Sequence, residues 1–409
     1  MQTQTQRDVV QISNELELSV HNVLAADVIC AGKKRNLSLL PEVNPRDVVE
    51  LNVSLANNVA ELNRRAANDI FQLTSIVESL GGIVYGGGSV LEDVSEVEPV
   101  RHRTTSLSNT FARGILDINS QQIILGVNDE TLGFEIYNYF RHIRPALLAL
   151  SASSPYKQDG QQLTDTGCAS RRVQQYEKAL SYFPQIIFNS PELDSLHSHR
   201  TQLKMVSDRV KEKLEEGILD ANWEELKKTR QKGTETYHYY PFEVLEPHQV
   251  FWPERPRPDH RTIEKGGKSV FSIELRMPDM PITIWRIQMI NSFVAGIAYY
   301  IAGHGTGELP YLFNENSLKR AAQHGLKAQI NGISMTEAIQ QLSSYAVQGL
   351  NGRDHTEARK EFEKALNETL WIGCDAEIIR EKQPRNPDQL RQYLAGQLKS
   401  HDADTKLRF

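Results

Sequence analysis

Apolar and polar residues alternate from Ile12 to Val20. Ile12, Leu16, Leu18 and Val20 share one phase, with Asn14 the exception, and Ser13, Glu15, Glu17 and Ser19 share the other. A period of two puts these sets on opposite faces of a strand that rests one face on a core. Asp47 to Leu55 repeats the pattern, with Val49, Leu51, Val53 and Leu55 set against Glu50, Asn52 and Ser54. The spacing then changes. Val59, Leu62, Ala66, Ile70, Leu73, Val77 and Leu80 recur every three or four residues and Gly81-Gly82 follows, which predicts a helix closed by a glycine cap. Ile83–Tyr85 reads as a short strand running into Gly86-Gly87-Gly88, and Gln121–Val127 as another. Phe134–Leu150 reads as a helix with Pro145 as a kink or restart. Residues 193–217 and 222–232 look like exposed, charged helices. Val270–Met277 alternates again, Phe271, Ile273, Leu275 and Met277 against Ser272, Glu274 and Arg276. From about residue 334 the chain is helical and polar, with a turn-rich break at Asn351-Gly352-Arg353-Asp354 and a frayed end from Ser400 to Phe409.

Short strands interleave with helices without a regular βαβ alternation. That order predicts an α+β fold: a curved, mainly antiparallel sheet with flanking helices. The apolar stretch from Ile282 to Ala302 has the length of a membrane span, but it carries Arg286, Gln288 and Asn291 and lacks basic flanks, so a buried core helix is expected. With 409 residues and 39% hydrophobic positions the chain can build a real core. A net charge of -6 without any basic block argues against nucleic acid as a partner. Cys30, Cys168 and Cys374 are too few and too widely spaced for a disulfide framework, and MQTQTQRDVVQ lacks the apolar core of a signal peptide. A cytoplasmic protein without membrane attachment is the expectation.

Glu15 and Glu17 project from one strand face about 6–7 Å apart, twice the rise per residue. Alone they fit a solvated strand face. Glu50 and Glu274 hold the polar phase of their own strands, however. If these strands share a sheet, one face gathers Glu15, Glu17, Glu50, Glu274 and Arg276. Acids so placed suit Mg²⁺, a hard cation shared between carboxylates and phosphates, and the arginine suits phosphate or carboxylate. Lys265-Gly266-Gly267-Lys268-Ser269 ends like a phosphate loop, but Thr262 stands where the leading glycine belongs and a strand follows, so a hairpin turn is expected. Gly86-Gly87-Gly88 reads as a turn. His197 and His199, two residues apart on a helix, diverge and predict no metal site. No Gly-x-Ser-x-Gly elbow is present.

The segment RPALLALSASSPYKQDGQQLTDTGCASRR, Arg144 to Arg172, resembles the glutamate–cysteine ligase/carboxylate–amine ligase family of the glutamine-synthetase-like superfamily. Pro145, Ala149 to Pro155, Thr166, Gly167, Ser170 and Arg172 carry the likeness. Other landmarks follow in order: Glu15-x-Glu17, Glu42 through Val49-Glu50, Arg255-Pro256, then Glu274, Arg276 and Asp279, and Glu315-Asn316 through Gly325-Leu326-Lys327-Ala328. The resemblance implies a glutamine-synthetase-like catalytic domain over 1–335, with 336–409 as a helical extension packed on it. It implies that ATP and Mg²⁺ activate a carboxylate, usually the γ-carboxyl of glutamate, as an acyl phosphate that an amine then attacks. By the same resemblance Glu15, Glu17, Glu50 and Glu274 face metal. Arg172, Glu274 and Arg276 contact the nucleotide phosphates or substrate, and Glu15, Glu50 and Arg276 carry the chemistry. Small-molecule acid and amine partners are implied, and a homodimer is the default assembly. A guanidino-kinase-like phosphotransferase or a non-catalytic descendant are the alternatives. One strand departs from the family, which carries His-x-His-x-Gly or His-x-Asn-x-Gly where this chain has Gln122-Ile123-Ile124-Leu125-Gly126. A ligase acting on another acid or amine is compatible with that change.

Overall fold

The computed structural model describes residues 9–98, 115–179, 191–217, 254–257, 271–351 and 356–400. The expected helix at 222–232, the Lys265–Ser269 turn, residues 352–355 of the late break and residues 401–409 lie outside them.

Seven strands form one open sheet: β1 (Val9–His21), β2 (Leu39–Pro41), β3 (Val48–Ala56), β4 (Ile83–Tyr85), β5 (Gln121–Val127), β8 (Glu254–Arg257) and β9 (Phe271–Leu275). The order is β2-β3-β1-β5-β9-β8, with β4 beside the end of β1, and every pairing is antiparallel. Two small hairpins, β6–β7 (Tyr156–Asp159 and Gln162–Asp165) and β10–β11 (Gln329–Ile330 and Ile333–Ser334), stand apart. The expected α+β class with a mainly antiparallel sheet holds.

The apolar phase of each strand faces helices. Leu16, Leu18, Val49, Leu51, Ile123, Leu125, Ile273 and Leu275 are all buried in the main core. The covering helices include α2 (Val59–Ser79), α3 (Glu130–Ser151) and α6 (Ile284–His304). Asn58 caps α2 by accepting from Glu61 N, and Gly81 at φ 85° ends it, as the spacing predicts.

No helix of the described residues is long and apolar enough to cross a membrane. In α6 every side chain from Ile284 to Ile301 is buried except half-buried Gln288. Asn291 and Ser292 belong to a buried hydrogen-bonded chain. Gln121 Nε2 donates to Asn291 Oδ1 at 2.7 Å, Asn291 Nδ2 to Asn63 Oδ1 at 3.1 Å, and Asn63 Nδ2 to Ser292 Oγ at 3.1 Å. This network pins β5, α6 and α2 together. Buried amides cost little only when so paired.

The late helices α8 (Met335–Asn351), α9 (Thr356–Ile372), α10 (Asp375–Glu381) and α11 (Pro387–Lys399) complete the body. α8 crosses α6 where Gly296 meets Gly349: a Cβ on Gly296 would come within 2.4 Å of Ala346 O. Arg286 of α6 is buried against Asp375 of α10, Nε to Oδ1 at 3.1 Å, and donates to Gly373 O at 2.7 Å.

Three local expectations are corrected. Leu55 is 40% exposed while Ala56 is buried, because a bulge intervenes. Ile12 faces Ala56 but Asn14 faces Val53, so β3 gains one residue and its phase flips. The helix expected from Phe134 starts at Glu130, capped by Asp129, and runs through Pro145 without a restart. The helix in 193–217, α5 (Leu196–Glu215), is not wholly exposed, since His199, Leu203, Ser207 and Val210 are buried.

Candidate active site

The polar phase of the sheet forms one continuous face, and its register reads as three rows. Glu17 of β1 is opposite Glu50 of β3. One step along, Glu15 is flanked by Asn52 of β3 and Gln122 of β5. In the third row Ser13, Ile124, Glu274 and Arg255 lie side by side across β1, β5, β9 and β8. Directly opposed side chains stand about 5 Å apart at Cβ, so the charges on this face must interact.

The β1–β3 side is crowded with acid. Glu17 is 5% exposed and accepts from Gln122 Nε2 at 2.7 Å. Glu42, in the loop before β3, hydrogen-bonds Glu17. Burial first, then the charges of Glu17 and Glu50, raise the Glu42 carboxyl well above the usual range, with Arg276 opposing. A carboxyl that bonds a carboxylate must itself carry the proton. Glu50 is pushed up to about 8 by burial and by Glu15, against the Asn52 amide, which donates to it at 2.7 Å. The physical cause is plain: carboxylates share a site away from water with too few cations to balance them.

The β8–β9 side is cationic. Glu274 is fully buried, and Arg255 grips it with Nη2 at 2.6 Å from both oxygens and Nε at 3.1 Å. Arg276 Nε lies 3.3 Å from Glu274 Oε1 and donates to Gln122 Oε1 at 3.2 Å. Burial disfavours the Arg276 charge, but Glu274, Tyr176, Glu17 and Glu15 outweigh it and hold the guanidinium ionised. Gln122 therefore joins the two sides: its amide nitrogen serves Glu17 and its amide oxygen serves Arg276.

Arg172 lies beside this face, 2% exposed, with its guanidinium 4.9 Å from the Tyr176 ring centre. Burial pushes the Tyr176 phenol up to about 12, and the same ring feels Arg276, Glu17 and Glu42. Asp279, also buried, gathers the loops around it. It accepts from Ser154 Oγ at 2.8 Å, Ser170 Oγ at 2.9 Å and Ser153 N at 3.1 Å. Gly88 is required beside it, since a Cβ there would come within 2.7 Å of the Asp279 carboxyl. The glycine run is thus a close-packed turn, as expected.

All the acids and the arginine expected on one face are on it: Glu15, Glu17, Glu50, Glu274 and Arg276. Arg172 stands beside it. Glu42 and Arg255 join the same cluster through Glu17 and Glu274. Glu42 sits in a loop without periodicity, and Arg255 is 19 residues from its partner Glu274. Sequence placed both only as family landmarks. His197 is exposed and His199 buried, so they diverge as expected.

Among the described residues no group of three or more histidine, cysteine, aspartate or glutamate side chains forms a ready-made metal cage. Mg²⁺ rarely needs one. It commonly takes one or two carboxylates, with water and substrate phosphates filling the rest of its octahedron. The crowding of carboxylate oxygens at Glu15, Glu17, Glu42 and Glu50 fits that requirement.

The protein is an ATP-dependent ligase, as its family match shows. Residues 3–369 match the model of glutamate-cysteine ligase family 2, and the chain belongs to that family. No curated protein matches it in sequence. Among solved structures, the glutamate–cysteine ligase of Francisella tularensis in complex with AMP aligns at 11% identity, TM-score 0.58, over 97% of this chain and 90% of its own. A bifunctional glutathione synthetase from Pasteurella multocida aligns at 12% identity, TM-score 0.52, over 96% of this chain and 53% of its own. Both share the fold.

Proposed function

We propose that the protein is an ATP- and Mg²⁺-dependent carboxylate–amine ligase of the cytoplasm. It activates the γ-carboxylate of glutamate, or a similar acid, for attack by the amine of cysteine or another amino compound. The observation that carries this reading is the Glu17–Gln122–Arg276 bridge, which puts a cation-seeking cluster directly beside an anion-seeking one. Phosphoryl transfer needs both within the span of a triphosphate.

In the first step a carboxylate oxygen of the acid attacks the γ-phosphorus, the bond to the bridging oxygen breaks, and ADP leaves. In the second the amine nitrogen attacks the acyl carbon and inorganic phosphate departs with the bonding pair, leaving an amide. Arg276 faces the oxyanion charge that builds in both steps. Mg²⁺, held by one or two of Glu15, Glu17 and Glu50, would neutralise phosphate charge. A carboxylate of this cluster left free of metal would receive the proton that the attacking amine must lose. Gln122 and Ile124 leave that part of the wall without a titratable group, which favours a neutral or apolar substrate portion there.

The test is incubation with ATP, Mg²⁺, glutamate and a panel of amines, followed by mass spectrometry and phosphate release. An amide and free phosphate in equal amounts are expected. A stable phosphorylated product, or no product when glutamate is replaced in turn by a panel of other acids, would refute ligation.

A further inference from the structure

The polar phase of β1 continues past the active-site rows. Glu17, Ser19 and His21 share it, and His21 lies about 13 Å beyond Glu17, four residues at the strand rise. Between them the face is closed. Ser19, Asn119 and Tyr85 are fully buried; Asn119 Nδ2 donates to Ser19 Oγ at 2.7 Å, and Tyr85 of β4 is opposite Ser19. Past this layer a separate cavity of about 500 Å³ opens between the loop before β3, the loop after β4, the β6–β7 hairpin and the start of α11. Arg46, Asp47, Glu92, Gln158, Asp388 and Arg391 line it. Asp388 and Arg391 lie beyond residue 369, where the family match ends.

A cavity of this size holds a small molecule. Arg391 is its deepest cation, 6% exposed. It donates to Gln158 Oε1 at 2.9 Å and to Asp388 Oδ1 at 2.7 Å, and lies 3.5 Å from Glu92 Oε1. Its Nε has no hydrogen-bond partner among the described residues. A buried donor without an acceptor is costly, and an oxygen from a ligand would relieve it. Glu92 is the opposite case. Its Oε1 is 2.8 Å from His21 Nδ1. Burial, with Asp47 and Asp388 adding, pushes its carboxyl up to about 7 against the pull of Arg391 and Arg46. A cation beside it would favour the ionised form. An ammonium, with three donors, suits acids that do not converge into a metal cage.

We infer that this cavity is a second ligand site, separate from the site of ligation, and that it takes a small zwitterion, whose ammonium meets Glu92 and whose carboxylate meets Arg391. The site stands whether or not the protein ligates, because a packed layer divides it from the acidic rows.

The experiment is calorimetry on the full chain, with chelator and without ATP. Glycine, β-alanine and glycylglycine are the zwitterionic probes, and propylamine and propionate carry one charge each. Saturable binding of at least one zwitterion is expected, about tenfold or more tighter than either singly charged probe, since a charge-assisted contact is worth about that much. Arg391→Met and Glu92→Gln should each weaken it about tenfold or more. Gln161→Trp, which puts bulk into the cavity from the exposed hairpin turn, should remove one site from the binding count. Glu17→Gln should leave that site intact. No saturable binding of any zwitterion would overturn the inference, as would a site count unchanged in Gln161→Trp or loss of all binding in Glu17→Gln. A singly charged probe that binds as tightly as the zwitterion would also overturn it. Should Arg391→Met or Glu92→Gln fail to fold, Gln161→Trp decides. A protein that binds here and forms no amide refutes the ligase reading alone, and one that forms an amide and loses no site in Gln161→Trp refutes this inference alone.

Discussion

The β1–β3 and β8–β9 sides of one sheet face are built from the same strand pattern yet have opposite electrostatics. Both place glutamate at an inward polar position. On the first side those glutamates meet one another and two amides, so burial and repulsion lift Glu42 and Glu50 and leave protons to be shed. On the second side arginines satisfy the single glutamate. A glutamate on a strand face thus has no fixed role. Its neighbours across the ladder decide whether it crowds against other acids or holds an arginine.

The largest effect expected from disturbing this contrast comes from Glu15→Gln. Removing one anion from the crowded side should lower turnover by at least about 100-fold, the scale of deleting one preorganised electrostatic group. Circular dichroism should show the fold intact. Next is Arg276→Lys, which substitutes a point charge for a planar fork and should reduce kcat/KM for ATP by about 10- to 100-fold. Gln122→Leu tests the divider itself. With its amide gone, Glu17 loses a donor and Arg276 an acceptor, and kcat should fall about tenfold while KM for ATP changes less.

The smallest effect is in pH dependence. Glu50 has a folded pKa of about 8 against 4.5 in the unfolded chain. Between these values the folded state holds more protons, so metal-free stability should decline as pH rises from about 4.5 to about 8. Mn²⁺ should reverse that decline and release protons on binding. Its apparent affinity should fall by about tenfold per unit as pH drops below 8 if one proton competes. Differential scanning fluorimetry and calorimetry in two buffers read both signs. A flat profile would mean that the crowded side is already balanced.

Much of this arrangement could be read from local pattern. The edges of α2, β4 and β5 follow from the spacing of their apolar residues and the glycines nearby. The phase of Glu15, Glu17, Glu50 and Glu274 was legible for the same reason. What pattern could not supply is register. Opposition of Glu17 to Glu50, and of Arg255 to Glu274, depends on pairing between strands remote in the chain. The bulge that turned Leu55 outward is likewise a property of two strands together. Glu42 lies in a loop, where side-chain direction has no period to follow. The early start of α3 was missed because Asp129 and Glu130, its cap and first turn, precede the apolar spacing.

Asp279 has one more consequence. It follows Arg276 by three residues and clasps Ser170, two residues before Arg172. Both arginines therefore hang from a single buried hinge-pin shared with the Ser153–Ser154 loop. Swapping these loops one at a time between relatives should give dead chimeras, whereas moving them as a set should not.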